Sequence, residues 1–133
     1  MNENPAPLDA GAVQAFVGDA HGNIDAVRTA LTEEPALVNA AWDWGGGDWE
    51  TGLGAAAHMG RRDIAELLLE RGARLDVFAA AMLGEVGVVR AILEAHPSMR
   101  DARGPHGIPL RAHAEQGGEA AQAVLDLLET LGR

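Results

Sequence analysis

Apolar positions along this chain recur at helical spacing. Ile64, Leu67, Leu68 and Leu69 form one stripe, opened by Asp63, whose carboxylate favours a helix N-terminus, and closed by Gly72, a left-handed stop. The same kind of stripe appears as Ile24, Val27 and Leu31 before Pro35, and as Val88, Val89, Ile92 and Leu93 before Pro97. It returns as Val124, Leu125, Leu128 and Leu131 near the C-terminus. Each stripe follows a shorter segment that ends at a glycine: Phe16 to Gly22, Thr51 to Gly60, Phe78 to Gly84 and Leu110 to Gly117. The pattern predicts four helical hairpins, with second helices near 24–33, 63–71, 86–95 and 120–131. It predicts no β-sheet core and at most a short hairpin between helix pairs.

The separating glycines lie 38, 24 and 33 residues apart. Hairpins that bury their apolar faces only on one another build a solenoid. Thr51-Gly52-Leu53-Gly54-Ala55-Ala56-Ala57-His58-Met59-Gly60, followed by Ile64 to Leu69 and Gly72-Ala73, resembles the ankyrin repeat. That family's unit opens T-P-L-H-x-A-A and ends in a leucine pair and Gly-Ala. Ile108-Pro109-Leu110-Arg111-Ala112-His113 resembles the same opening with Thr and His replaced. The resemblance implies an all-α, ankyrin-type solenoid of about four helix-turn-helix repeats with short or missing β-turn fingers. Its repeats would cover approximately 9–40, 46–76, 77–101 and 103–133, within one domain at 8–133 after a frayed tail at 1–7.

The departures from that pattern are specific. The first finger is long, running from Ala40 through Trp42, Trp44, the triple glycine Gly45-Gly46-Gly47 and Trp49 to Glu50. Between Asp76 and Phe78 the next finger is essentially missing, which accounts for the spacing of 24. Gly52 and Gly54 stand where the family has Pro and His, leaving the start of that helix undetermined.

Composition narrows the chemistry. Apolar residues reach 47%, mostly Ala, Leu and Val, which suits closely packed helices. The absence of cysteine removes disulfides, thiolate metal sites and a cysteine nucleophile. Net charge is −10, and the first 50 residues carry nine acidic groups against Arg28 alone. An acidic surface of this kind argues against nucleic acid and for a basic partner. No stretch approaches about 18 apolar residues and no signal-peptide pattern opens the chain, so no membrane association is expected and cytoplasmic residence follows by default.

Candidate functional residues fall in two places. All three tryptophans, Trp42, Trp44 and Trp49, lie in the long finger beside Asp43, Asp48 and Glu50. They suit either a binding hot spot or a plug for the missing finger's gap, with Trp49 expected buried and Trp42 or Trp44 exposed. The family's concave-face positions give a second set, His58, Met59, Met82 and Leu83, an adaptable floor for a partner segment. His21 holds the corresponding place in the first hairpin.

No two of the five histidines form an HExxH motif or an i, i+4 pair, so sequence spacing proposes no metal site and no cofactor. His106, in the final finger, reads as structural. No nucleophile elbow or phosphate loop is present. A pocket joining Asp48, Glu50, His58, Arg111 and His113 is conceivable but not demanded.

The leading expectation is therefore a non-enzymatic, monomeric protein-interaction module that binds a protein or peptide through its concave face and tryptophan finger. The alternative is a small-molecule binder or enzyme using a Trp/His-lined pocket between repeats.

Overall fold

Eight α-helices and one small hairpin, seen in a computed structural model that describes residues 4–132, make up the chain. The expected tail at 1–7 lies partly outside the described residues, and Pro5 to Leu8 precede the first helix without regular structure. The helices are α1 (Ala10–Asp19), α2 (Ile24–Glu33), α3 (Gly52–His58), α4 (Arg62–Glu70), α5 (Val77–Leu83), α6 (Val86–Ala95), α7 (Leu110–Gln116) and α8 (Gln122–Leu131). Strands β1 (Ala41–Asp43) and β2 (Trp49–Thr51) pair antiparallel between α2 and α3, with Trp42 opposite Glu50. The second helices of the four pairs thus fall within two residues of the ranges that the apolar stripes predict. The described helices include none long and apolar enough to cross a membrane.

Local chemistry sets the helix starts. Asp9, Asn23, Thr51 and Asp76 each accept a hydrogen bond from a backbone N–H in the first turn of the helix that follows. For α3 this settles what the two glycines left undetermined: Thr51 Oγ1 accepts from Gly54 N at 3.0 Å, and the helix begins at Gly52. Gly52 itself is dictated by packing, because a Cβ there would lie 2.8 Å from the Phe16 ring.

The first helices α1, α3, α5 and α7 pack in succession, and α2–α4 and α6–α8 neighbour each other in a second layer. One core cluster gathers Phe16, Val27, Leu53, Ile64, Leu68 and Met82; another gathers Val89, Leu93, Leu110, Val124 and Leu128. Leu68 is fully buried, as its place in the stripe predicts.

The connections are unequal. Residues 34–51 join α2 to α3 and 96–109 join α6 to α7, but only 71–76 join α4 to α5. Helix α3 consequently touches α7 directly as well as α5. The turn at 103–109, closed by the Arg103–Pro109 bridge, reaches back to the β1–β2 hairpin.

Candidate metal centre

The β1–β2 hairpin is rigid for a reason visible in its residues. Gly45, Gly46 and Gly47 all have positive φ (138°, 64° and 89°), a run that side-chain-bearing residues rarely adopt. The Asp43 carboxylate accepts from Gly45 N at 2.8 Å and Gly47 N at 3.0 Å, and Trp44 N donates to Asp48 O at 3.0 Å. A loop held this way returns the chain so that β2 alternates strictly. Trp49 points out, 61% exposed, and Glu50 points in, 1% exposed.

Three histidines from three separate elements meet the buried Glu50 carboxylate. His21 follows α1, His58 ends α3, and His106 sits in the 103–109 turn. His21 Nε2 lies 3.2 Å from Glu50 Oε1; His58 Nε2 and His106 Nε2 lie 3.0 and 3.2 Å from Oε2. One donor atom from each of the four residues falls within 4.8 Å of every other. The imidazole rings are 5.0 Å (His21–His58) and 5.2 Å (His58–His106) apart, both edge-to-face.

The surrounding groups fix which nitrogens face inward. His21 Nδ1 lies 3.0 and 3.1 Å from the carbonyls of Val17 and Gly18. Carbonyls only accept, so Nδ1 carries the proton and donates, and Nε2 is the nitrogen turned to Glu50. His106 Nδ1 is 2.7 Å from Asp48 Oδ2, while Asp48 Oδ1 accepts from the His106 backbone N–H, also at 2.7 Å. That double clamp holds His106 at φ 62°, the one non-glycine residue with positive φ among those described. Trp44 Nε1–H donates to Glu50 Oε1 at 2.8 Å.

Charge and burial act together here. Burial pushes the Glu50 carboxyl up, but the adjacent His58 imidazole, the Trp44 indole and the charges of His21 and His106 bring it below its ordinary value. The Asp48 carboxyl is also lowered, first by the His106 backbone N–H. For His106, burial opposes protonation, yet Asp48 and Glu50 outweigh it and raise the imidazole above its usual value. One mismatch remains inside this network. Glu50 Oε2 and His58 Nε2 are both buried and 3.0 Å apart, yet neither has a hydrogen-bond partner.

The residues expected to form a binding surface are thus redistributed. Asp48, Glu50, His58 and Trp44 come together; spacing alone proposed no metal site, and the fold supplies the missing members, His21 and His106. Trp42 is half-buried against the first core cluster and Trp44 is exposed, as one of that pair was expected to be, but Trp49, expected to be buried, is the most exposed of the three. The alternation that buries Glu50 is what turns Trp49 outward. Beside the short 71–76 connection, Gly104 of the 103–109 turn packs against Phe78 and Pro105 against Gly54, and Trp49 lines the same cleft.

Met82 and Leu83 are buried between helices and offer no groove floor, whereas Met59 is 47% exposed at the end of α3. Arg111 pairs with Glu115 and Glu129, and His113 is buried against Phe78 with Nδ1 2.9 Å from Pro109 O, so neither joins the cluster.

Two signals for the histidines were present in the chain. His21 lies one residue before Gly22 and His58 two residues before Gly60, so each falls at the end of a first helix, where the two adjoining helix pairs face each other. His106 carried no such signal. No protein-family model matches the chain, and no curated protein matches it as a relative.

Proposed function

We propose that this chain is an ankyrin-type solenoid whose biochemical function is to bind one divalent transition-metal ion through His21, Glu50, His58 and His106. The successive packing of α1, α3, α5 and α7 over a second layer supports the solenoid reading. Three imidazoles and one carboxylate suit Zn²⁺ and its neighbours in the first transition row; Mg²⁺ and Ca²⁺ prefer all-oxygen shells.

The observation that carries the reading is the buried pair Glu50 Oε2 and His58 Nε2, 3.0 Å apart and each without a hydrogen-bond partner. Two buried polar atoms left this way are costly unless a third group lies where both point. A cation is that group. The Glu50–imidazole spacings of 3.0 to 3.2 Å lie near the ~3.3 Å edge of a tetrahedron with ~2.0 Å bonds, and the whole donor set, spread within 4.8 Å, would draw inward on an ion. The carboxylate on His106 and the carbonyls on His21 are the outer partners that orient metal-binding imidazoles.

Titration calorimetry of chelator-treated protein with Zn²⁺ tests this. One equivalent should bind, and His58→Ala should weaken binding at least about tenfold. No stoichiometric binding by the unaltered chain, or identical binding by the variant, would overturn the proposal.

A second reading, capture of a protein partner on the same face, is favoured by the exposure of Trp49 and Met59 on either side of the cluster.

A further inference from the structure

The cluster contains a tryptophan whose indole N–H donates to the ligand carboxylate. Trp44 is placed by its backbone bond to Asp48 O and by ring packing at 6.2 Å from His21 and 6.4 Å from His106. These contacts aim its indole N–H at Glu50 Oε1, 2.8 Å away. Oε1 is further flanked by His21 Nε2 at 3.2 Å. Oε2, by contrast, is the oxygen with no hydrogen bond, facing both His58 and His106. The two oxygens of one carboxylate are therefore held in different roles.

We infer that Trp44 is a positioning residue that restricts Glu50 to one-oxygen ligation through Oε2 and so makes the centre four-coordinate and selective for Zn²⁺-like ions. This rests on the metal-binding reading above. A carboxylate free to bind with both oxygens adds a fifth ligand atom and, with water, approaches the five- and six-coordinate shells that Mn²⁺ accepts. A carboxylate with one oxygen tied to an indole donates a single atom. Three imidazole nitrogens complete a tetrahedron, the geometry that Zn²⁺ takes without penalty. Trp44 is only partly buried and lies outside the main core, so replacing it perturbs the carboxylate more than the fold.

Co²⁺ is the probe, because its visible d–d bands are intense in four-coordinate sites and weak in six-coordinate ones. The unaltered protein, Trp44→Phe and the control Trp49→Phe are loaded with one equivalent of Co²⁺, with binding followed separately by calorimetry. The expected result is intense bands in the unaltered protein and in Trp49→Phe. Trp44→Phe should still bind Co²⁺, with band intensity reduced at least about twofold and the preference for Zn²⁺ over Mn²⁺ reduced roughly 10-fold or more.

Superimposable spectra for Trp44→Phe and the unaltered protein, with Co²⁺ bound in both, would overturn the role of Trp44 and leave metal binding standing. Failure of the unaltered protein to bind Co²⁺ and Zn²⁺ would remove the metal-binding reading, and this inference with it. If Trp44→Phe does not fold, the unaltered protein decides alone: weak bands of a six-coordinate ion overturn the inference, and intense bands support it.

Discussion

Replacing Glu50 by glutamine separates a metal site from a buried ionic network, because the two readings predict opposite results in metal-free protein. The amide is isosteric. Its oxygen can keep the Trp44 indole bond, and its NH₂ can then point where Oε2 was, toward His58 Nε2 and His106 Nε2. With its Nδ1–H given to Asp48, the neutral His106 ring accepts at Nε2, and His58 Nε2 accepts in its Nδ1–H tautomer, so the amide can supply hydrogen bonds that the carboxylate leaves unmade. Each such bond contributes about 0.5–1.5 kcal/mol.

At a pH high enough to leave the imidazoles neutral, metal-free Glu50→Gln should therefore be as stable as the parent, within about 1 kcal/mol, or slightly more so. If the cluster were an ion pair network that holds the fold, removing its central charge would cost about 3–5 kcal/mol. With metal the order reverses. An ion at 100 times its dissociation constant stabilises the parent by about 2.7 kcal/mol. For a chain of this length that is a rise of roughly 8–14 °C in Tm, and Glu50→Gln should lose nearly all of it. Calorimetric melting of both proteins, with chelator and with Zn²⁺, gives the four numbers required. An unfolded or strongly destabilised metal-free variant refutes the reasoning, as does a variant with an undiminished Zn²⁺ shift.

Three further outcomes follow from other parts of the structure. Gly84 has φ 80° and a Cβ there would lie 2.0 Å from Ala120 O, so Gly84→Ala should cost more than about 3 kcal/mol. Gly87→Ala, in α6 with nothing within 4 Å, should gain about 0.5–1 kcal/mol in the same urea titration; equal effects would mean that the end of α5 does not meet the backbone at Ala120. His113 is buried, and burial lowers its imidazole pKa below the ordinary value despite the opposing bond to Pro109 O. The unfolded chain therefore takes up this proton more readily, so the contribution to stability is whole above pH ~6.5 and falls as pH drops through that value toward the lowered folded one. His113→Met should gain on the parent between about pH 7 and pH 5 in denaturation midpoints, and a pH-independent difference would contradict this. Finally, Trp49→Phe should remove the most red-shifted and most quenchable part of the tryptophan emission, while Trp42→Phe removes blue-shifted emission; the reverse would place Trp49 inside.

Helix pairs were legible because their information is local. Ile64, Leu67 and Leu68, or Val124 and Leu128, declare a buried face by spacing alone, and Asp63 declares a helix N-terminus by its carboxylate. Burial of Met82 was harder, since it follows from the closeness of α7: a Cβ on Gly117 would lie 2.1 Å from Met82 O. Trp49 misled because size and hydrophobicity suggest burial, whereas strand alternation gave the inward place to Glu50. The ligand set was least legible. His21 and His58 each fall just before a helix-separating glycine, one and two residues ahead of it, but His106 reaches them only through a left-handed backbone conformation and a clamp by Asp48, 58 residues away. Neither is written in the residues beside it.

The six residues between α4 and α5 have an evolutionary consequence. The centre is assembled from neighbours that meet because nothing stands between the 103–109 turn and the long hairpin. Insertions, more than point substitutions, are thus the changes to which it is most vulnerable. Adding a hairpin's length after Arg71 would wedge those two loops apart while every histidine and acid remained in place. A descendant of that kind would look intact by an inventory of its residues and yet have lost the site, so connection length is the character by which its history should be traced.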